Sequence, residues 1–317
     1  MNQHAAKSVR FGSSWSTQFR LTQAIGRGLS ALIPVEATVK VIGPGGLSAL
    51  GSAEIDICFL KSVNNEHRYR GKGLFAGSKP DTWLRTIAWL PQEDRFLFAV
   101  APWIGLESFK EIAAKKPALK MKGGAAPFVL KEYGFSYDDI VSWGGRVGSM
   151  EHTSRAAKWA YACGELDAFF GDGSAHDFTA WDWVASHGYK FLDIDEKVMQ
   201  SLESQGIRRN VTPSGFLPGI SKTLNAVDDS HIVLSCSEKL DDEIAYNLAK
   251  AIEENKRAIE LESVQLDYGP DVSVRILNQL NHWSSLTDSI ERQWDEGTVG
   301  APLHRGAKQY YQELWVL

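Results

Sequence analysis

The residues of this chain best placed to do chemistry are hydroxyls, cations and one histidine set beside glycine turns. Ser13, Ser14 and Trp15 follow a short apolar run, Val9–Gly12, and open a helix-period segment. There the hydroxyls can cap free backbone N–H groups or hydrogen-bond a carboxylate, and Trp15 can supply an aromatic wall. Gly45 and Gly46 interrupt the chain after a second apolar run, and Lys61 and Ser62 follow a third, Ile55–Leu60. A lysine in that position can pair with an acid. In the second half, Gly144-Gly145-Arg146 sets an arginine in a glycine turn, where bidentate recognition of a carboxylate is geometrically available. Gly171-Asp172-Gly173-Ser174-Ala175-His176-Asp177 sets His176 between two carboxylates that would orient its ring and shift its pKa, the arrangement of a proton-transfer group. The same stretch also reads as a helix start capped by Asp172 or Ser174 with His176 exposed. His67, in Asn64-Asn65-Glu66-His67-Arg68-Tyr69, reads as part of a polar loop.

These groups form no metal-ligand spacing, phosphate-binding loop, dinucleotide fingerprint or nucleophile elbow, so neither metal nor cofactor is expected. The charge balance, 34 Lys and Arg against 39 Asp and Glu for a net −5, contains no basic run and disfavours nucleic acid or an anionic membrane as partner. No apolar stretch is long enough for membrane insertion. The three cysteines, Cys58, Cys163 and Cys236, leave an odd thiol and read as small buried hydrophobes. A small organic anion is the expected partner. The polar start Met1–Lys7 has no apolar leader core, so the sequence as it stands is expected in the cytoplasm, or in the periplasm if a leader was removed.

What positions these residues is a repeat. Strand, glycine turn, helix, strand, glycine turn, helix, acidic turn and strand run from Val9 to Leu60, with Ser16–Leu32 as the first helix and Val35–Ile42 as the second strand. The order returns from Leu119 to Phe170, with Ile140–Trp143 as a strand and Ser149–Tyr161 as a helix. Glu54-Ile55-Asp56 and Glu165-Leu166-Asp167 mark the same point of each copy. At 317 residues the chain exceeds what one core usually organises. Two α/β lobes are therefore predicted, residues 5–100 with 220–317 and residues 101–219, with Arg95–Ala101 crossing outward and a mostly helical stretch from Asp241. Turns leaving parallel strands share one sheet edge, so Ser13, Ser14, Lys61, Arg146 and Ser174 are expected to face a cleft between the lobes.

With the repeat in place, the chain resembles the TAXI group of TRAP-transporter solute-binding proteins. The tail Gly300-Ala301-Pro302-Leu303-His304-Arg305-Gly306-Ala307-Lys308-Gln309-Tyr310-Tyr311 is similar to that group's terminal motif, and Gly45–Leu50, Gly134–Asp139 and Gly164–Phe170 support it. The resemblance implies a type II periplasmic-binding-protein-like fold, a carboxylate or amino-acid ligand and, if exported, a TRAP permease as partner. The chain departs from the group where ligand would bind. Its second-lobe loop is only Lys122-Gly123-Gly124-Ala125-Ala126, and its first-lobe loop is Gly12-Ser13-Ser14-Trp15.

Three functions follow. A solute-binding protein needs no catalytic group. A decarboxylase or lyase on the same scaffold, acting on an aromatic or unsaturated acid, would use Lys61, Arg146 and His176 to hold a carboxylate and protonate the carbanion. A cytosolic sensor would signal by lobe closure. Residues alone do not separate the three, nor name the ligand.

Overall fold

The computed structural model describes residues 7–13, 16–42, 45–90, 95–123, 126–148, 166–172, 181, 184, 187–229, 232–255 and 300–314. The chain divides into two units, Met1–Gln92 with Ser230–Leu317, and Glu93–Asp229. Each is built on its own mixed sheet. The boundaries fall earlier and later than the sequence expectation, because β5 (Arg95–Val100) and β11 (Leu224–Asp228) pair with each other and with the second unit's strands.

In the first unit the sheet order is β2-β1-β3-β12-β4, from β1 (Lys7–Ser13), β2 (Val35–Val41), β3 (Ile57–Lys61), β4 (Leu84–Leu90) and β12 (Ile232–Ser237). β1, β2 and β3 run parallel, so their carboxyl ends share one edge; β12 is antiparallel to β3 and β4. Helix α1 (Ser16–Leu32) places Leu21, Ile25 and Leu29 at four-residue spacing, and all three are buried against Val9, Phe11, Ile57 and Phe59. Strand β2 lies at the edge. Val35 is buried and Ala37 and Val39 are partly buried on the same face, but Val41 at the strand's end is 69% exposed. Cys58 faces Ser235 across the ladder and Cys236 faces Ile57, so the two thiols lie on opposite sides of the sheet and cannot bridge. Burial pushes the Cys58 thiol up to about 12, which leaves it inert as a nucleophile.

The stretch read as a polar loop is helix α3 (Ser62–Arg70), with His67, Asn65 and Ser62 buried. Composition misled because the buried side chains are polar. Asn65 donates to Thr86 at 3.0 Å, and the His67 ring lies where a side chain on Gly73 would stand. Gly71, at φ 63°, ends the helix in the left-handed conformation.

The second unit's sheet runs β10-β11-β5-β8-β6-β7, with β6 (Lys120–Lys122), β7 (Arg146–Gly148), β8 (Ala168–Asp172), β9 (Lys190–Phe191, beside β5) and β10 (Arg209–Thr212). β6, β7 and β8 are parallel. One face packs Phe98, Phe109, Met121, Ile140 and Phe170; the other packs Leu97, Phe169, Trp181 and Leu224. Ile140–Trp143 is not a strand. Ser136 and Asp139 form a reciprocal capping box that starts helix α6 (Tyr137–Ser142) and buries Ile140, and the strand lies beyond Gly144-Gly145. Helices α2 (Gly46–Gly51), α4 (Phe109–Lys115), α5 (Pro127–Glu132) and α7 (Glu196–Ser204) complete the connections. The helix read over Ser149–Tyr161, and Cys163, lie outside the described residues.

The repeat has a physical basis at its two acids. The Asp56 carboxylate accepts from the Arg10 backbone N–H at 2.8 Å, and Asp56 N–H donates to the Arg10 carbonyl at 2.8 Å. In the other copy the Asp167 carboxylate accepts from Lys120 N–H at 2.9 Å, and Asp167 N–H donates to the Lys120 carbonyl at 2.6 Å. Each acid thus fixes the register of the parallel strand it precedes against its neighbour. Replacing Asp56 or Asp167 with Ala is expected to cost about 1–3 kcal/mol, and Asn, which keeps an acceptor, about half that; denaturant unfolding measures both.

The tail motif is structural. Ala301 is buried, Pro302 carbonyl accepts from Thr86 N–H and His304 N–H donates to Thr86 carbonyl, so the segment extends along β4 before helix α9 (Arg305–Glu313) packs on helix α8 (Asp242–Glu254). His304 caps α9, its Nδ1 accepting from Gly306 N–H at 3.3 Å. Burial lowers its pKa, outweighing the Asp242 carboxylate 3.8 Å away, which raises it. The unfolded chain therefore takes up this proton first. The stabilisation is complete above about pH 6.5 and is lost as pH falls below it. Thermal unfolding between pH 7.5 and 5.5 should show a smaller loss in His304→Asn than in the parent protein.

Candidate functional site

In the first unit, three strands deliver polar groups to one edge. Ser13 ends β1 and is buried; its carbonyl accepts from Ile42 N–H at 2.9 Å. The register pairs Phe11 with Ile57, and side chains alternate along each strand. Ser13 and Lys61 therefore lie on the same face of the sheet as Phe11 and Phe59. Lys61 is half-buried and forms the turn into α3, whose first residue, Ser62, is buried. Gly46 packs at the start of α2, where a Cβ would stand 3.6 Å from Cys58 Sγ. Gly45 is exposed and borders an open groove of about 510 Å³ with Val41, Ile42, Ser48, Ser52 and Glu54. Ser14 and Trp15 lie outside the described residues.

In the second unit the edge formed by the carboxyl ends of β6, β7 and β8 is the corresponding place. Gly171 is buried near the end of β8, and Asp172 closes that strand. Ser174 and His176 lie outside the described residues. Arg146 is not in a turn leaving a strand. It opens β7, opposite Lys120 at the start of β6, and is exposed, so it stands at the amino ends of the parallel strands. The shift of the strand past the two glycines moved it there. Arg146 therefore does not stand at the carboxyl edge of its sheet, where the sequence reading put it.

Two buried cations occupy the face shared with Phe169, and sequence reading gave neither a role. Lys122 ends β6 with 7% exposure, its Nζ 5.0 Å from the centre of the Phe169 ring. Arg95 opens the antiparallel β5, which places its backbone at the same edge. Its guanidinium stacks 4.2 Å above Phe216 and its Nη1 donates to Thr212 Oγ1 at 3.4 Å. The available signal was position: Arg95 opens an otherwise apolar strand and Lys122 ends a short one, places where a solvated lysine or arginine is the usual reading. Among the described residues there is no group of three or more side chains suited to hold a metal, and no helix is long and apolar enough to cross a membrane.

The described residues form two mixed sheets with helices, the two α/β units that the repeat predicted. Similar solved structures include an ABC-transporter choline-binding protein in complex with choline, at 15% identity over 97% of this chain and 98% of that one, TM-score 0.47. A TRAP solute-binding protein specific for pyroglutamate, from an unidentified marine microbe, is 15% identical over 98% and 99%, TM-score 0.43. The alkanesulfonate-binding protein of Xanthomonas axonopodis pv. citri bound to MOPS is 14% identical over 96% and 99%, TM-score 0.42. A family model covers residues 13–266, well over half of the 317-residue chain, and by that match the chain belongs to the NMT1-like family.

Proposed function

We propose that the chain is a solute-binding protein for a small organic anion, a carboxylate or amino acid, that hands its ligand to a membrane permease. The observation that carries this reading is the gathering of Ser13, Lys61 and Ser62 where the first unit's parallel strands end. A hydroxyl and a half-buried lysine on one sheet face can hold a carboxylate. Gly45, Gly46, Gly171 and Asp172 complete the proposed ligand-contacting set, with Ser14, Trp15 and Ser174 in the adjoining turns. The terminal motif supports placement near the TAXI group, with a TRAP permease as partner, and that partnership would put the working protein in the periplasm.

The test is a thermal-shift panel with pyroglutamate, choline, an alkanesulfonate, aliphatic and aromatic carboxylates and amino acids, followed by chromatography of the recovered compound. Stabilisation by an anionic member that is recovered unchanged is expected. In the responding case Lys61→Met should weaken binding by about 10-fold or more. Conversion of the compound would replace the reading with an enzyme.

A further inference from the structure

We propose that two copies of this chain pair through the outer edge of β2, antiparallel about a two-fold axis at Thr38, so that Glu36 of each meets Lys40 of the other. The proposal does not depend on which solute is bound. At one edge of the first unit's sheet the chain's own tail covers β4, Leu303 bridging Thr86. β2 forms the other edge, and among the described residues no strand pairs with its outer side. It runs in unbroken register with β1, without proline or bulge. Ile42 N–H donates to the Ser13 carbonyl, so Glu36, Thr38 and Lys40 turn their backbone groups toward β1, and Ala37, Val39 and Val41 turn theirs outward. At Val35 the outer side is already used, its N–H donating to the Ile33 carbonyl and its carbonyl accepting from Ser30 Oγ. What remains is a short, unblocked template for another strand.

The charges on the strand identify the occupant. Exposed charges commonly blunt an edge, and charges of one sign would repel a second copy. β2 carries one of each sign, Glu36 and Lys40, both exposed and equally spaced about Thr38. Antiparallel pairing centred there sets each glutamate opposite a lysine and Thr38 opposite Thr38. It also sets Ala37 opposite Val39, whose outward N–H and C=O groups then bond to each other. The charged positions fall in pairs without main-chain hydrogen bonds, where facing side chains come closest. Sliding either strand by two residues leaves both charges facing neutral residues. The apolar face gains as well, because the exposed Val41 comes to lie opposite the partner's Val35. An open groove of about 540 Å³, bordered by Phe19, Gln23, Gly26, Ala31, Ala37 and Val39, lies beside β2 on that face, where the partner's apolar residues would settle. Such an interface uses the same patch on both copies, so it closes at the dimer.

The test is analytical ultracentrifugation of the full chain across the micromolar range. The parent is expected to pass from monomer to twice the chain mass as concentration rises, and to stop there. Glu36→Lys sets like charges opposite each other and should weaken self-association about 10-fold or more, with an unfolding midpoint within a few degrees of the parent. Lys40→Glu should weaken it likewise, with some added loss of stability because Lys40 also pairs with Glu54 of its own chain. Mixed together, the two charge variants should recover the dimer as a heterodimer, since each supplies the charge the other lacks. Val39→Pro removes an outward N–H while leaving the groups that face β1, and it too should weaken the dimer. A parent chain that stays monomeric throughout, or that grows beyond the dimer, overturns the inference. Self-association undiminished in Glu36→Lys or in Val39→Pro overturns it too, because the contact would then lie on another face. The same holds if the two charge variants, both folded, form no heterodimer. Should Val39→Pro fail to fold, Glu36→Lys and the mixture still decide.

Discussion

Gly306→Ala is expected to destabilise the first unit by about 3 kcal/mol or more. Gly306 is the second residue of α9, and a Cβ added there would stand 2.0 Å from the Asp242 carbonyl oxygen and 2.8 Å from its carbonyl carbon. Both clashing atoms are backbone at the start of α8, so neither side can yield by changing a rotamer. The same N-terminal turn holds the His304 cap and the Arg305–Asp242 ion pair, and all of these would have to separate together. Gly300→Ala should behave alike. Its φ is 84°, a conformation that costs an L-residue about 1–2 kcal/mol, and its Cβ would fall 2.4 Å from Glu66 N. Chemical unfolding gives the size of the loss. Amide exchange locates it, with protection falling first in α9, α8 and β4. A change below 1 kcal/mol in both variants would mean that the tail does not pack as described.

The second large effect is expected for Phe109→Ala, at about 3–5 kcal/mol. Phe109 opens α4 and is fully buried, stacked on Tyr133 at 4.7 Å, edge-on to Phe98 at 5.1 Å and tilted against Phe170 at 6.0 Å. Removing the ring takes away its burial and three aromatic contacts at once, and the neighbours belong to different elements that cannot close over the space together. Amide exchange should rise in β5, β6 and β8, while β1 and β3, whose core contains none of these residues, should change far less. Because the units have separate cores, two unfolding steps are expected, and Phe109→Ala should move only one of them.

The fold was legible where a pattern had one physical cause. Glu54-Ile55-Asp56 and Glu165-Leu166-Asp167 repeat because each aspartate latches a parallel strand onto its neighbour, a constraint that leaves the same residues at the same spacing. The alternation of α1 with β1–β3 was legible for a similar reason: a sheet covered by helices needs apolar runs of set length. Reading failed where tertiary context overrode local composition. Asn65 and His67 form a buried helix face that looks like a loop because what surrounds them, Thr86 for Asn65 and the side-chain-free Gly73 for the His67 ring, is remote or carries no side-chain signal. Ile140–Trp143 looked like a strand because four residues cannot distinguish the two periods, and the capping box that decides the matter begins upstream at Ser136.

For the site, the consequences were uneven. Ser13 and Lys61 end strands β1 and β3, and Ser62 follows, because those strands were correctly placed in the sequence. Arg146 does not, since an error of a few residues in one strand carries its end from one edge of the sheet to the other. Lys122 and Arg95 were passed over because burial of a charge is a property of packing, and sequence assigns lysine and arginine to solvent by default.

The measurement that bears most directly on the central claim is calorimetric titration of the purified chain with an organic carboxylate and, in parallel, the uncharged amide of the same skeleton. A solute-binding protein built around ammonium and hydroxyl groups should take up the carboxylate with one-to-one stoichiometry, bind the amide at least about 10-fold more weakly, and return the carboxylate chemically unchanged. Equal affinity for acid and amide across the panel, no uptake of any carboxylate, or consumption of the compound during the titration would contradict it.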